Sequence, residues 1–363
     1  MPANKNYRVF YAIQQLAFTR DGTPTFAAVH VAHGVQSVGV TTTFNLEQVF
    51  ELGQLAIYEN IEGIPDIEVT VEKVLDGYPP IYCLATKNSS GTTLTARQNA
   101  KTIAALTMWK DTNDAADGTV NRVTEAYMSG LYVSSVSYTF PVDGNSTESV
   151  TLVGNNKLWR APAVAGAFTE GSSNADAPAS TSTGVARRED LSFSYTGTTL
   201  NTVDGKSITA SSTGTVLPTD IDGVSTSGTN DRITGTRVFN SHIQNISCST
   251  DLGREQLFEL GRKGAYYRYV TFPVEVTTEV TVIATSGDMV IAREEDENLS
   301  HQRIRIRCDE GLDIDVGDKN KLASVAVTGG DAGGDNVELT YTYTNFNDFD
   351  LSHGHAQSAP SEA

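Results

Sequence analysis

Four aspartates, Asp309, Asp313, Asp315 and Asp318, fall within ten residues around Gly311 and Gly317. Carboxylate oxygens so closely spaced are the ligand type that Ca²⁺ takes. Gly and Asp are equally the ordinary residues of tight turns, so a pair of hairpin turns is the competing use, and no metal is assigned to them. Just upstream, Arg303, Arg305 and Arg307 alternate with Ile304 and Ile306. In an extended strand, that alternation puts all three guanidinium groups on one face. The acidic run 294–297 and a net charge of −18 favour ion pairing over nucleic-acid contact for these arginines. The carboxylates they meet are expected on this chain or on a neighbouring subunit. A third set is Glu68 and Glu72, repeated as Glu275 and Glu279, each alternating with Thr and with apolar residues. One face of each strand is then apolar and packs, and the Glu face is left in the open. His30 and His33 point to opposite sides of an extended segment and lack a third ligand.

No spacing for nucleophilic, phosphate-binding or metallohydrolase chemistry is present: there is no GxSxG, Walker loop, HExxH or GxGxxG. The chain is therefore read as a non-enzyme without cofactor. Its 363 residues carry 44 acidic against 26 basic side chains, a balance that argues against a protein that grips DNA phosphates. No apolar run approaches the roughly 18 residues of a membrane span, and the first residues show no basic-then-apolar signal. Three widely spaced cysteines, Cys83, Cys248 and Cys308, form neither a disulfide framework nor a CxxC pair.

These side chains are positioned by strands. Segments 7–18, 68–74, 133–140 and 149–153 alternate with a period of two and are rich in β-branched and aromatic residues. Segments 274–284, 303–307, 323–327 and 337–343 do the same. Asp-Gly and Gly-Asp clusters separate them as turns. Segment 95–109 carries apolar residues near helical spacing and is expected to be a helix; 46–52 fits a short helix or a strand.

The chain also repeats itself. Glu47, Gln48, Phe50, Glu51, Leu52, Gly53 and Tyr58 recur as Glu255, Gln256, Phe258, Glu259, Leu260, Gly261 and Tyr266, at a constant offset of 208 (Phe50 to Phe258, Pro65 to Pro273). About ten of about thirty positions are identical without a gap, the sign of an internal duplication. After the proline the match slips, aligning Ile67-Glu68-Val69-Thr70 with Val274-Glu275-Val276-Thr277. Later, Val133-Ser134-Ser135-Val136 corresponds to Leu322-Ala323-Ser324-Val325. The expected fold is mainly β: two related β-sandwich or barrel domains, each with little flanking helix. Their expected bounds are 1–160 and 185–351, the latter opening with a polar elaboration. Between them lies a linker or exposed loop, 161–184, and a disordered tail follows at 352–363.

The FELG(Q/R) elements with a following tyrosine, the strand IEVTVEKVLDG and the closing hairpin LASVAVTGGDAGGDNVELTYTYTNF resemble tail tube proteins of tailed bacteriophages. They look most like tube proteins in which the tube domain is duplicated within one chain. The resemblance covers about 7–159 and 239–349. It implies a structural subunit of the virion tail that forms stacked rings, trimeric with pseudo-sixfold symmetry, by extending one sheet with the next. It implies an acidic channel through which DNA passes without specific binding, with Glu68, Glu72, Glu275 and Glu279 as candidates to face the lumen. It makes Arg303, Arg305 and Arg307 candidates for intersubunit ion pairs. The implied partners are the chain itself and other tail proteins such as tape measure, baseplate or sheath. Alternatives are a tube initiator, a terminator or a baseplate protein. A more distant one is a Ca²⁺-dependent carbohydrate-binding module at Asp309–Asp318.

Overall fold

The computed structural model describes residues 9, 11–20, 31–53, 55–86, 91–93, 101–109, 122–160, 184–188, 191–197, 202–203, 206–207, 242–284, 301–308, 312–330 and 336–353. Among these the chain is nearly all strand. The first half holds β1 (Gln14–Arg20), β2 (Val35–Thr43), β3 (Leu46–Phe50), β4 (Ile57–Glu62) and β5 (Asp66–Val74), then a five-residue helix α1 (Ile81–Ala85). It continues with β6 (Gly91–Thr93), β7 (Thr102–Trp109), β8 (Arg122–Pro141), β9 (Thr147–Gly154) and β10 (Asn156–Arg160). Three short strands follow, β11 (Leu191–Gly197), β12 (Thr202–Val203) and β13 (Lys206–Ser207). The second half holds β14 (His242–Asp251), β15 (Arg254–Leu257), β16 (Tyr267–Val270), β17 (Glu275–Ile283), β18 (Gln302–Cys308), β19 (Leu312–Asp315), β20 (Lys321–Thr328), β21 (Glu338–Phe346) and β22 (Asp350–His353).

Among the described residues, an 11-stranded antiparallel sheet runs through eight strands in the order β2-β5-β9-β8-β14-β17-β21-β20, with β7 and β10 joined to β8 and β1 to β7. The order is a pattern used twice. β2-β5-β9-β8 matches β14-β17-β21-β20 strand for strand, and β8 pairs with β14 where the halves meet. The bulges match as well. The β2–β5 ladder shifts between Val35 and Ser37, and the β14–β17 ladder between Ile243 and Asn245, 208 positions on. The β8–β9 ladder shifts between Val133 and Ser135, and β20–β21 between Leu322 and Ser324. A bulge adds one unpaired residue at a fixed place, so it pins register. Among the described residues the sheet is open, and no barrel closes.

The ladders also correct the sequence alignment after Pro65. Asn245, the counterpart of Ser37, pairs with Thr281 where Ser37 pairs with Glu72. Counting back, Glu279 occupies the place of Thr70, and Glu275 that of Asp66. The shift is even, so both glutamates stay on the same face.

One face of this sheet is apolar. Val69, Val71, Val150, Leu152, Val136, Tyr138, Ile246, Cys248, Val276, Val280, Tyr341 and Tyr343 are all buried there. Against them pack α1 and a second sheet ordered β11-β18-β19-β22-β6, which contributes Ile304, Ile306, Ile314 and Leu351. Gly130, at φ +67°, lies where the 20-residue β8 changes partners, from β7 and β10 to β9 and β14. Beneath the first half sits a buried polar knot. Glu148 accepts N–H bonds from Ile81 at 2.6 Å and Tyr82 at 3.0 Å, and the Tyr138 hydroxyl donates to it at 2.7 Å. Burial raises the Glu148 carboxyl, and these three donors pull it back down.

Two expectations change. Segment 102–109 is strand β7, not helix. It lies between β1 and β8, and Thr102 through Thr107 are all buried. A strand covered on both faces reads as a continuous apolar run, which periodicity does not separate from a buried helix. Residues 352 and 353, expected in the tail, belong to β22, where Ser352 pairs with Asp313 and Gly91 and the buried His353 pairs with Leu312; 354–363 lie outside the described residues. Ala186 bonds to Leu75 and Ser146, so 184–188 runs along the first half, whereas β11 pairs with β18 of the second. Of the expected linker, 161–183 lies outside the described residues.

Candidate assembly interface

The two halves meet at an internal joint between β8 and β14. β8 and β14 pair from Asn245↔Pro141 through Cys248↔Tyr138 to Asp251↔Ser135. Beyond the ladder, the Leu252 amide donates to the Ser134 carbonyl at 2.7 Å. The β15–β16 hairpin, which carries the second FELG element at its tip, then crosses the joint and lies on the first half. Arg254 donates to the Val133 carbonyl at 2.6 Å and sits 5.2 Å from the Tyr132 ring. Tyr267 meets Tyr132 edge-on at 6.0 Å. Gln256 and Arg268 both donate to Asp66 at 3.2 Å, and Arg268 reaches Asn155 at 3.1 Å. Burial lowers the Arg254 guanidinium to about 10.

The two ends of the sheet are the same surfaces without a partner strand. β2 is the counterpart of β14, and β20 that of β8; among the described residues β2 pairs only with β5 and β20 only with β21. Exposure differs between the counterparts as well. Leu252 is 1% exposed, whereas its counterpart Phe44 is 70% exposed. Tyr138 is fully buried, whereas its counterpart Val327 is 62% exposed. The β3–β4 hairpin has the pairing of β15–β16, Gln48↔Asn60 against Gln256↔Arg268, but its strands are exposed almost throughout. The undecided segment 46–52 is thus strand β3 running into a hairpin tip. Both tips stay apolar and open: Phe50, Leu52 and Leu55 in one, Phe258 and Leu260 in the other.

The second surface is the polar face of the main sheet. Glu68, Thr70 and Glu72 alternate with buried Ile67, Val69 and Val71, and Glu275 and Glu279 alternate with buried Val276, Thr278 and Val280. All four predicted glutamates are exposed and share one face. The ladders add Ser37, Ser149, Thr151, Ser135, Ser137, Ser249 and Asp251 to it. Hydroxyls and carboxylates therefore cover this face across both halves. Asp251 escaped the sequence reading because it ends β14 at a turn, where its carboxylate accepts the Gly253 amide at 2.9 Å.

The aspartate and arginine runs find each other. β18 and β19 form an antiparallel pair, with Arg305 opposite Asp315 and Arg307 opposite Asp313. Across that hairpin Arg303 bonds Asp315 at 2.5 Å, and Arg305 forks onto Asp313, its Nε at 2.7 Å from Oδ1. These pairs lie within the chain, and they hold both guanidinium groups above the ordinary arginine value. Two of the four candidate Ca²⁺ ligands are thereby turned to arginines. Asp318 is exposed nearby, and Asp309 lies outside the described residues. Among the described residues, no three His, Cys, Asp or Glu side chains are grouped to hold a metal ion. His33 stacks on Tyr78 at 4.0 Å, and His30 lies outside the described residues. Among the described residues, no helix is long and apolar enough to cross a membrane.

Sequence reasoning missed Phe44, Arg254 and Arg268 as interface residues. The 208 offset could have marked Phe44, because it stands where the second half has Leu252.

No protein-family model and no curated protein matches the chain. Solved structures do. It is similar to a chain of the sheath–tube complex of an extracellular contractile injection system (PVC) in the extended state, at 12% identity and a TM-score of 0.32, covering 43% of this chain and 94% of that one. A chain of the PVC sheath/tube terminator matches at 11% identity and a TM-score of 0.32, over 43% of this chain and 99% of that one. A chain of the tube-terminating cap of the anti-feeding prophage matches at 10% identity and a TM-score of 0.32, over 44% and 99%.

Proposed function

We propose that this protein is a structural subunit of a tail-tube-like assembly, without catalysis, and that it originated by duplication of one β domain. Copies join head to tail: β20 of one chain pairs with β2 of the next in the register of β8 on β14, which sets Val327 opposite Val40 and Ala326 opposite Thr41. The single observation behind this is the internal joint itself, flanked by two open edges equivalent to its two sides. Joined edges are different surfaces, so the contact is heterologous and closes into a ring or runs on as a filament. An unpaired edge strand is a standing template for pairing, and closure removes it. The resemblance to duplicated tube proteins supports a ring of three chains with six equivalent sheet segments.

In that ring the polar face lines the channel. Carboxylates from Glu68, Glu72, Asp251, Glu275 and Glu279 repel phosphates, so passing DNA finds no counterion-releasing contacts to hold it. The apolar hairpin tips serve ring-on-ring stacking, and other tail proteins cap the stack. Negative-stain electron microscopy with mass photometry across concentration tests the reading. Hollow tubes, or three-chain rings with sixfold views, are the expected result. Rings that never stack would make the protein a terminator or baseplate component instead. A monomer at all concentrations, alone and on preformed tail ends, would overturn it.

A further inference from the structure

We propose that the β3–β4 hairpin is a clasp for a second copy of this chain, in which Glu59 meets the neighbour's Lys321 while Gln48 and Asn60 meet its Glu275. The inference rests on the head-to-tail reading above and adds to it the chemistry of a contact outside the sheet joint.

The template is the β15–β16 hairpin, whose landing points on the first half are Tyr132, Val133, Asp66 and Asn155. The two hairpins share one ladder at the 208 offset. Leu46, Gln48, Glu59 and Asn60 therefore stand where Arg254, Gln256, Tyr267 and Arg268 stand. The landing points translate through the sheet ladders. Tyr132 pairs with Val153 as Lys321 pairs with Thr344, and Asp66 holds the place of Glu275.

Placing one set on the other, the aromatic contact Tyr267–Tyr132 becomes an ion pair, Glu59–Lys321. The bonds from Gln256 and Arg268 to Asp66 become bonds from Gln48 and Asn60 to Glu275. The carbonyl that Arg254 reaches becomes that of Leu322, over which Leu46 lays an apolar side chain. Two landing points, Lys321 and Glu275, thus translate into complementary polar contacts, while Asn155 becomes the exposed Phe346. Lys321 and Glu275 are exposed, as are β3 and β4 around Glu59, so nothing among the described residues covers this surface.

The test uses the full chain. Lys321→Glu and Glu59→Lys are each expected to raise the concentration for half-assembly by about 5- to 20-fold at low salt, and the double variant to restore it. Glu59→Cys with Lys321→Cys is expected to give a dimer ladder on a non-reducing gel. Background is low because Cys83, Cys248 and Cys308 are buried. Two further pairs, Val40→Cys with Val327→Cys and Thr41→Cys with Ala326→Cys, report the sheet joint alone. Adjacent pairs alternate between hydrogen-bonded and non-hydrogen-bonded sites, so one of the two has the closer geometry. Cross-linking at the joint but not at the hairpin, with no rescue by the double swap, overturns the clasp and leaves the head-to-tail reading standing. Cross-linking at neither overturns both.

Discussion

Phe44 and Leu252 occupy one position in the two halves, and the structure gives them opposite consequences. Leu252 is 1% exposed under the β8–β14 joint, so Leu252→Ala opens a cavity inside the chain and costs about 2–5 kcal/mol of folding stability. Phe44 is 70% exposed, so Phe44→Ala changes the stability of the isolated chain by no more than about 0.5 kcal/mol. In the proposed joint Phe44 takes the place of Leu252 and is buried by the next copy. Burying a Phe side chain contributes about 1.5–3 kcal/mol, so its loss weakens each joint by about 10- to 150-fold. The folding arm is read by urea unfolding at a concentration where the chain is monomeric. The assembly arm is read by mass photometry against concentration. A Phe44→Ala variant that unfolds as early as Leu252→Ala, or that assembles at the parent concentration, would refute the equivalence of the two joints.

Three further outcomes are expected. Glu148→Gln sets an amide N–H₂ against one of three donors and costs about 1–3 kcal/mol at pH 7. Burial holds the native carboxyl above its ordinary 4.5, so the parent binds the extra proton when folded and gains stability as pH falls toward 4.5. The variant has no such gain, so its deficit in denaturant unfolding widens from pH 7 to pH 5; a constant deficit contradicts this. Asp350 is held above its usual value by burial and by Asp315, Asp313 and Asp348. Asp350→Asn is therefore expected to raise the thermal midpoint at pH 7, with the gain vanishing as pH falls to 3.8; an unchanged gain would assign it to something other than charge. Gly317 has φ +82°, and a Cβ there would stand 1.9 Å from Asp348 Oδ2. Gly317→Ala costs at least about 1 kcal/mol in thermal unfolding, and Asp348→Ala recovers part of it by removing the clash.

The sequence carried the strands with one wet and one dry face, because alternation such as Ile67-Glu68-Val69-Thr70 is what a half-buried sheet requires. It carried the 208 offset through the FELG hairpins and the exact place of β20 through VSSV and LASV. It did not carry the register of β17, since an alternating strand matches itself at every shift of two and only a bulge breaks the tie. It did not separate β7 from a helix, because β7 is buried on both faces. The partners of Arg303 and Arg305 were hidden for a different reason. Eight to twelve residues separate each arginine from its aspartate, and only the β18–β19 pairing brings them together. Phe44 drew no notice as a lone aromatic; it acquires meaning only beside Leu252.

In the proposed assembly, a chain that carries one joint inside and its equivalent outside meets two different physical demands. The internal joint forms once, as the chain folds, and it can use aromatics and an arginine whose partners are always present: buried Tyr132, half-buried Tyr267 and half-buried Arg254 over the Val133 carbonyl. The outer edges must stay in water until another copy arrives. An edge strand that looked like β8, with Tyr138 and Phe140 facing outward, would pair with anything. β20 replaces those two with Val327 and Gly329, carries Lys321 in the place of Tyr132, and keeps the bulge at Ala323 that twists the edge. β2 is rich in threonine, and the hairpin beyond it has Glu59 where β16 has Tyr267. In the proposed outer joint, charge on both sides favours a partner of the opposite sign. The substitutions between the halves are thus the ones that turn a permanent contact into one that can wait.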